Sequence, residues 1–156
     1  MSGFRWGQRS LDRLGGCHAD IRRVADAALA SSPFDLTVVT GFRKQAEQDE
    51  AFRVGRSKLR WPDSKHNHRD VLGDPCSLAV DLAPYLQPGW IPWGSKEEHG
   101  HTIAQQLRYW DILAGVVLGA AESLHIPMRW GGDWNRNGIL VDQTFHDLPH
   151  FELLTN

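Results

Sequence analysis

Near its end, between Val141 and Leu154, the chain carries His146, Asp147 and His150. Pro149 cannot donate a ladder hydrogen bond, so the residues before it read as loop and a strand begins at or after it. From His150 the pattern alternates, with His150 and Glu152 on one face and Phe151 and Leu153 on the other. An imidazole at the head of a strand, with a carboxylate on the turn before it, can serve one metal site. The ring would bind the ion and the carboxylate would handle protons on its water. The plainer alternative is a strand-edge histidine beside a proline. His146 and His150 also share the i,i+4 spacing of helical zinc motifs, but Pro149 argues against a helix through both. His146 is therefore read as an outer or surface group.

Two further stretches offer partners. Asp81 is the odd residue in the apolar segment Leu78–Ala83, sharing a face with the small Ala79 and Ala83. A buried carboxylate there needs a cation or several donors, and backbone amides or an arginine would serve as well as a metal. His66 and His68 lie in the polar segment Ser64-Lys65-His66-Asn67-His68.

Taken together, several segments resemble the M15 family of zinc peptidases. They are Thr40-Gly41-Phe42-Arg43 with Gln48, Ser64-Lys65-His66-Asn67, Ala79-Val80-Asp81-Leu82-Ala83-Pro84-Tyr85, Arg129-Trp130-Gly131-Gly132-Asp133-Trp134 and Phe145-x-Asp147-Leu148-Pro149-His150-Phe151-Glu152-Leu153. Within that family the chain is most similar to phage endolysins of the L-alanyl-D-glutamate endopeptidase type. The resemblance implies a hedgehog/D-Ala-D-Ala-peptidase-like fold with zinc on its sheet, held by His66, Asp81 and His150. It also implies Asp147 as the catalytic carboxylate and Arg43 as a substrate or oxyanion contact. The commoner family pattern brings the first histidine and the aspartate closer together. Here the insert from Asn67 to Leu78 leaves His68 as a rival ligand, and His66 is preferred because Ser64 precedes it at the family's offset.

A second ion is suggested by Asp133-Trp134-Asn135-Arg136-Asn137-Gly138, which matches the first half of a calcium loop. Asp133, Asn135 and Asn137 are the candidate ligands. The twelfth position, where a bidentate glutamate is expected, is Thr144, and Asp142 is the nearest carboxylate. The simple reading is an Asn/Gly-rich turn.

These residues need a frame. Ser10 is expected to cap a first helix whose start is weakened by Gly15-Gly16, so that its regular part begins near Cys17, and which Ser31-Ser32-Pro33 ends. Asp35–Thr40 reads as a strand, Lys44–Val54 as a short helix and Gly55–Gly73 as loop. Leu78–Ala83 is the next strand, stopped by Pro84. Ser95 with Glu98 forms a capping box for a long helix. Its apolar stripe is Ile103, Leu107, Trp110, Ala114, Val117, Ala121 and Leu124. Ile126–Trp130 makes a short strand. The expected class is α+β, a small antiparallel sheet packed against helices, in one domain over residues 1–156.

Composition narrows the function. A formal charge of −2 over 156 residues, without a Lys/Arg block, argues against a nucleic-acid footprint. No apolar run reaches the ~18 residues of a membrane span. Cys17 and Cys76 form no CxxC pair and read as reduced thiols. Met1–Trp6 lacks the features of a secretory signal. The expectation is a monomeric zinc endopeptidase acting on peptidoglycan stem peptides. It would wait in a host cytoplasm until a pore made by another protein opens the way to the wall. The rivals are a D-Ala-D-Ala carboxypeptidase, with Arg43, Arg69 or Arg129 holding the terminal carboxylate, and a non-catalytic peptidoglycan-binding domain. Trp90, Trp93 and Trp134 are either core residues or groove walls.

Overall fold

The computed structural model describes residues 3–155; Met1, Ser2 and Asn156, the ends of the expected domain, lie outside the described residues. Four helices, α1 (Gln8–Gly15), α2 (Ala19–Ser31), α3 (Gln45–Arg53) and α4 (Ile103–Ser123), accompany four strands, β1 (Asp35–Thr40), β2 (Ala79–Tyr85), β3 (Met128–Trp130) and β4 (His150–Leu153). The strands form one antiparallel sheet in the order β1-β2-β4-β3. Helices α2 and α4 pack against each other, and α4 against β2 and β3. Between them lies the core, where Ile21, Val24, Val38, Val80, Leu82, Leu113, Val117 and Phe151 are buried. This is the expected α+β class.

The first helix is in fact two. The chain breaks at Gly16-Cys17-His18, and His18 caps α2 by accepting from the Asp20 amide. Ser10 is no cap: it lies inside α1, buried, and its hydroxyl accepts from the Val38 amide, tying α1 to β1. Pro84 does not stop β2 but pairs with Leu36 on β1. On its other side β4 reaches only as far as Asp81, so no ladder bond is lost to the missing amide. The cap of α4 is Thr102 with Gln105, not Ser95 with Glu98. The stripe of α4 is also shifted. Ile103 and Leu107 are exposed, whereas Gln106 is fully buried, accepting from the Gly94 amide and donating to the Lys96 and His101 carbonyls. A polar side chain thus fastens the Pro-rich connector to the helix.

Candidate active site

Strand pairing creates the centre of the site. Asp81 on β2 sits directly opposite His150 on β4, with Val80 and Phe151 turned the other way into the core. Beside Asp81 the β1 register slips by one residue, between Val38 and Thr40. A bulge of this kind bends its strand, and Gly41 follows it. A Cβ on Gly41 would stand 2.3 Å from the Arg13 carbonyl oxygen, so only glycine lets the chain pass here. The Gly41 carbonyl is thereby brought 2.7 Å from His66 Nδ1.

His66 is delivered by a single 3-10 turn, Lys65–Asn67, within the segment expected to be loop. Ser64 caps it by accepting from the His66 amide, and Asn67 reaches back to accept from the Ser64 amide. The Asn67 side chain also donates to the Arg43 carbonyl, while the Arg43 amide donates to the His66 carbonyl. The serine two places before the histidine is thus a physical device that fixes the ring's backbone.

Three acceptor atoms converge. His66 Nε2 lies 3.2 Å from Asp81 Oδ1 and 3.1 Å from His150 Nδ1, and His150 Nδ1 lies 3.2 Å from Asp81 Oδ1. Each ring's remote nitrogen is spoken for: His66 Nδ1–H faces the Gly41 carbonyl, and His150 Nε2–H donates to Glu152 at 2.8 Å. The inner nitrogens then present lone pairs to each other and to a carboxylate, a repulsive set without a cation. Three ligands at the ~2.0–2.1 Å bond lengths of a tetrahedral zinc site would stand about 3.3 Å apart. The set fits a divalent metal with two nitrogen donors and one oxygen donor, and outer acceptors of this kind orient metal-bound imidazoles. Among the described residues this is the one group of three or more His, Cys, Asp or Glu side chains so gathered.

The electrostatics agree. Burial opposes ionisation of Asp81, yet His66 and His150 hold its carboxyl well below the usual range. Burial would lower the His150 imidazole, but Asp81 and Glu152 push it up to about 9 when no metal competes for the ring. Glu152 is itself buried and is held ionised by His150 and by Arg129, whose Nη2 is 2.7 Å away.

Asp147 stands where the chain turns into β4. Gly131 clamps that turn: its amide donates to the His150 carbonyl and its carbonyl accepts from the Asp147 amide. A Cβ on Gly131 would lie 2.3 Å from the Asp147 carbonyl oxygen, so the approach again requires glycine. No hydrogen bond from another described residue holds the Asp147 carboxylate. Burial, reinforced by the nearby Asp81 charge, raises its pKa to about 6. Arg43 lies across the site with Nη2 3.4 Å from Asp81 Oδ2 and Nη1 3.0 Å from Gln48 Oε1. Gln48 is fully buried and also donates to Ser57 and to the Leu59 carbonyl.

The cleft has two lobes that share Arg43, Arg56, Phe145 and Asp147. One, of about 410 Å³, is walled by Lys58, Arg129, Trp134 and Phe145. The other, of about 930 Å³, has Val39, Ala46, Trp93 and Leu148 among its lining. Trp134 and Trp93 are therefore groove walls, whereas Trp90 stacks on His99 at 4.5 Å, away from both lobes.

The structure thus brings His66, Asp81, His150, Asp147 and Arg43 together. His68 is exposed, with Nδ1 at the Cys76 carbonyl, and His146 is exposed on the second lobe. Burial raises both thiols, Cys17 to about 12, so neither offers a ready thiolate. Sequence reasoning missed Glu152, Gly41 and Gly131. Strand alternation had already put Glu152 on the His150 face, which is the signal that could have found it.

At the Asp133–Asp142 loop, Asp133 accepts from the Asn137 and Gly138 amides, and Asp142 accepts from Asn135 and Asn137 side chains. Asp142, rather than Thr144, closes this loop.

Residues 1–154 match the family model described as phage L-alanyl-D-glutamate peptidase. The chain is 32% identical over 154 residues to the L-alanyl-D-glutamate peptidase of Escherichia phage T5, covering 97% of this chain and 98% of the relative. It is 30% identical over 149 residues to the peptidoglycan L-alanyl-D-glutamate endopeptidase CwlK of Bacillus subtilis, covering 89% and 74%. Among solved structures, the L-Ala D-Glu endopeptidase ChiX of Serratia marcescens superposes with a TM-score of 0.67 at 29% identity, covering 96% of this chain and 90% of that one. The chain belongs to the phage L-alanyl-D-glutamate peptidase family.

Proposed function

We propose that this chain is a single-domain, monomeric zinc peptidase that hydrolyses the L-Ala–D-Glu bond of peptidoglycan stem peptides. The observation that carries the reading is the convergence of three lone-pair donors, His66 Nε2, Asp81 Oδ1 and His150 Nδ1, beside an unengaged carboxylate in an open cleft.

Zinc bound there would acidify a water and polarise the scissile carbonyl. The residues do the rest. Glu152 and the Gly41 carbonyl fix the two rings in the tautomers that aim lone pairs inward. Asp147, with a pKa near 6, is ionised at neutral pH yet basic enough to take the water's proton. The same oxygen then passes that proton to the departing amine of D-Glu. Arg43, anchored by Gln48, steadies Asp81 and presents a cation to the carbonyl oxygen as charge develops. No acyl-enzyme is needed.

The three arginines considered for the terminal carboxylate of a carboxypeptidase substrate are not placed to grip it. Arg129 is committed to Glu152 and Arg43 to Gln48 and Asp81, while Arg69 lies outside both lobes. A cleft that continues on either side of Asp147 suits an internal bond. A pure binding module has no use for the unengaged carboxylate.

The biological setting we infer is phage lysis, the enzyme waiting in the host cytoplasm for a pore. No helix among the described residues is long and apolar enough to cross a membrane. A second, weaker cation site for calcium is proposed at Asp133, Asn135 and Asn137, with Asp142 as the closing carboxylate. The loop leads into Asp147, so calcium would order the base, and activity that stays flat across a calcium titration would rule this out.

The test is digestion of purified Gram-negative peptidoglycan by zinc-loaded protein, with products read by mass spectrometry. New amino groups on D-Glu are expected. Release of terminal D-Ala alone would move the assignment to a carboxypeptidase, and an undigested wall would favour the binding module.

A further inference from the structure

The two lobes of the cleft differ in chemistry. The larger one sets Glu47 and Glu50 among small and apolar residues such as Val39, Ala46, Ala51 and Leu148. The smaller one gathers Arg43, Arg56, Lys58, Lys65 and Arg129 around the site. Most of these charges are answered: Arg129 by Glu152, Arg43 by Asp81, and Lys65 by the Leu153 carbonyl and Thr155. Arg56 and Lys58 are not: among the described residues neither side chain has a hydrogen bond or ion pair. Arg56 lies where the two lobes meet, whereas Lys58 belongs to the smaller lobe alone, its ammonium 5.1 Å over the Phe145 ring. Phe145 stacks on Trp134 at 6.3 Å, and Trp134 lies 5.4 Å from the His150 ring. An aromatic shelf thus holds one unanswered cation at a fixed remove from the reacting atoms. The lobe's carboxylates do not answer it either. Glu152 is taken by Arg129 and His150, Asp142 by Asn135 and Asn137, and Asp147 makes no ion pair with it.

The two halves of an L-Ala–D-Glu bond differ in the same way. The alanine side offers a methyl group. The glutamate side, which leaves as the amine, carries a free carboxylate close to the scissile nitrogen. We propose that Lys58 receives that carboxylate, so that the Lys58 lobe is the leaving-amine side of the cleft and the lobe that carries Glu47 and Glu50 holds the alanine side. Lys58 is then a specificity residue. The assignment rests on the L-Ala–D-Glu reading above.

The test uses two synthetic peptides that contain the L-Ala–D-Glu bond, one with the free carboxylate and one with it amidated. Each is given to the zinc-loaded wild type, Lys58→Met and Lys58→Arg. Methionine keeps a long apolar chain on Phe145 and removes the charge. The wild type should favour the carboxylate peptide about fivefold, the scale of one partly solvated ion pair. Lys58→Met should erase that preference by raising KM for the carboxylate peptide alone, and Lys58→Arg should keep it. Equal losses on both peptides would overturn the proposal and leave Lys58 as a support for Phe145. A wild type indifferent to amidation would also overturn it while leaving the peptidase assignment standing. Cleavage of neither peptide by the wild type would instead remove the underlying reading.

Discussion

The His66–Asp81–His150 cluster and the Asp133–Asp142 loop are both dense in groups that bind metals, yet they are built in opposite ways. In the first, acceptors point at acceptors, and the donors they need are turned outward to Gly41 and Glu152. In the second, every carboxylate meets an amide: Asp133 from the backbone, Asp142 from two asparagines. The first is buried between two strands and a short turn, whereas the second is exposed. A converging set of lone pairs in a dry site is costly unless a cation enters. A loop that satisfies itself has only its own hydrogen bonds to exchange for an ion. The difference separates a buried cluster whose acceptors favour a bound cation from an exposed loop whose acceptors are already met within the loop.

Substitutions can break this contrast at several depths. Removing a ligand should do most: Asp81→Asn or His150→Ala is expected to lose stoichiometric zinc and roughly a thousandfold or more of kcat/KM, checked by metal content and turnover. Asp147→Asn should keep zinc while kcat falls by about 10²–10⁴, the range for a positioned general base. A smaller effect is expected from Glu152→Gln, which loosens the His150 ring and should weaken zinc binding about 10–100-fold in a competition titration. The pH profile follows from Asp147. Its raised pKa, about 6, means the base is protonated below that value, so kcat/KM should fall as pH drops through about 6. Asp147→Asn should abolish that limb. Least of all, Asp142→Asn should leave one zinc per chain and remove only a calcium-dependent gain in activity.

Much of the site was legible because its chemistry sits in local patterns. Alternation after Pro149 placed His150 and Glu152 on one face, and an aspartate in an apolar strand marked Asp81. Which histidine joins them was not decided by residue type, because His66 and His68 differ only through the turn that Ser64 and Asn67 fix. Long-range partners were the least legible. Gly41 looked like the end of a strand, and its contact with Arg13 belongs to the packing of α1 on β1. Pro84 was misread because a proline is excluded only where its missing amide is needed, and that depends on how far β4 extends. Gln106 broke the α4 stripe because a connector needed its donors and acceptor more than the core needed another leucine.

The most direct test of the central claim is zinc content after dialysis against buffered zinc, measured on the wild type and Asp81→Asn together, with X-ray absorption at the zinc edge. One zinc per wild-type chain, bound by two imidazoles and oxygen ligands, and none retained by Asp81→Asn, is the predicted result. Zinc retained equally by both proteins, or by neither, would contradict the assignment of His66, Asp81 and His150 as the metal centre.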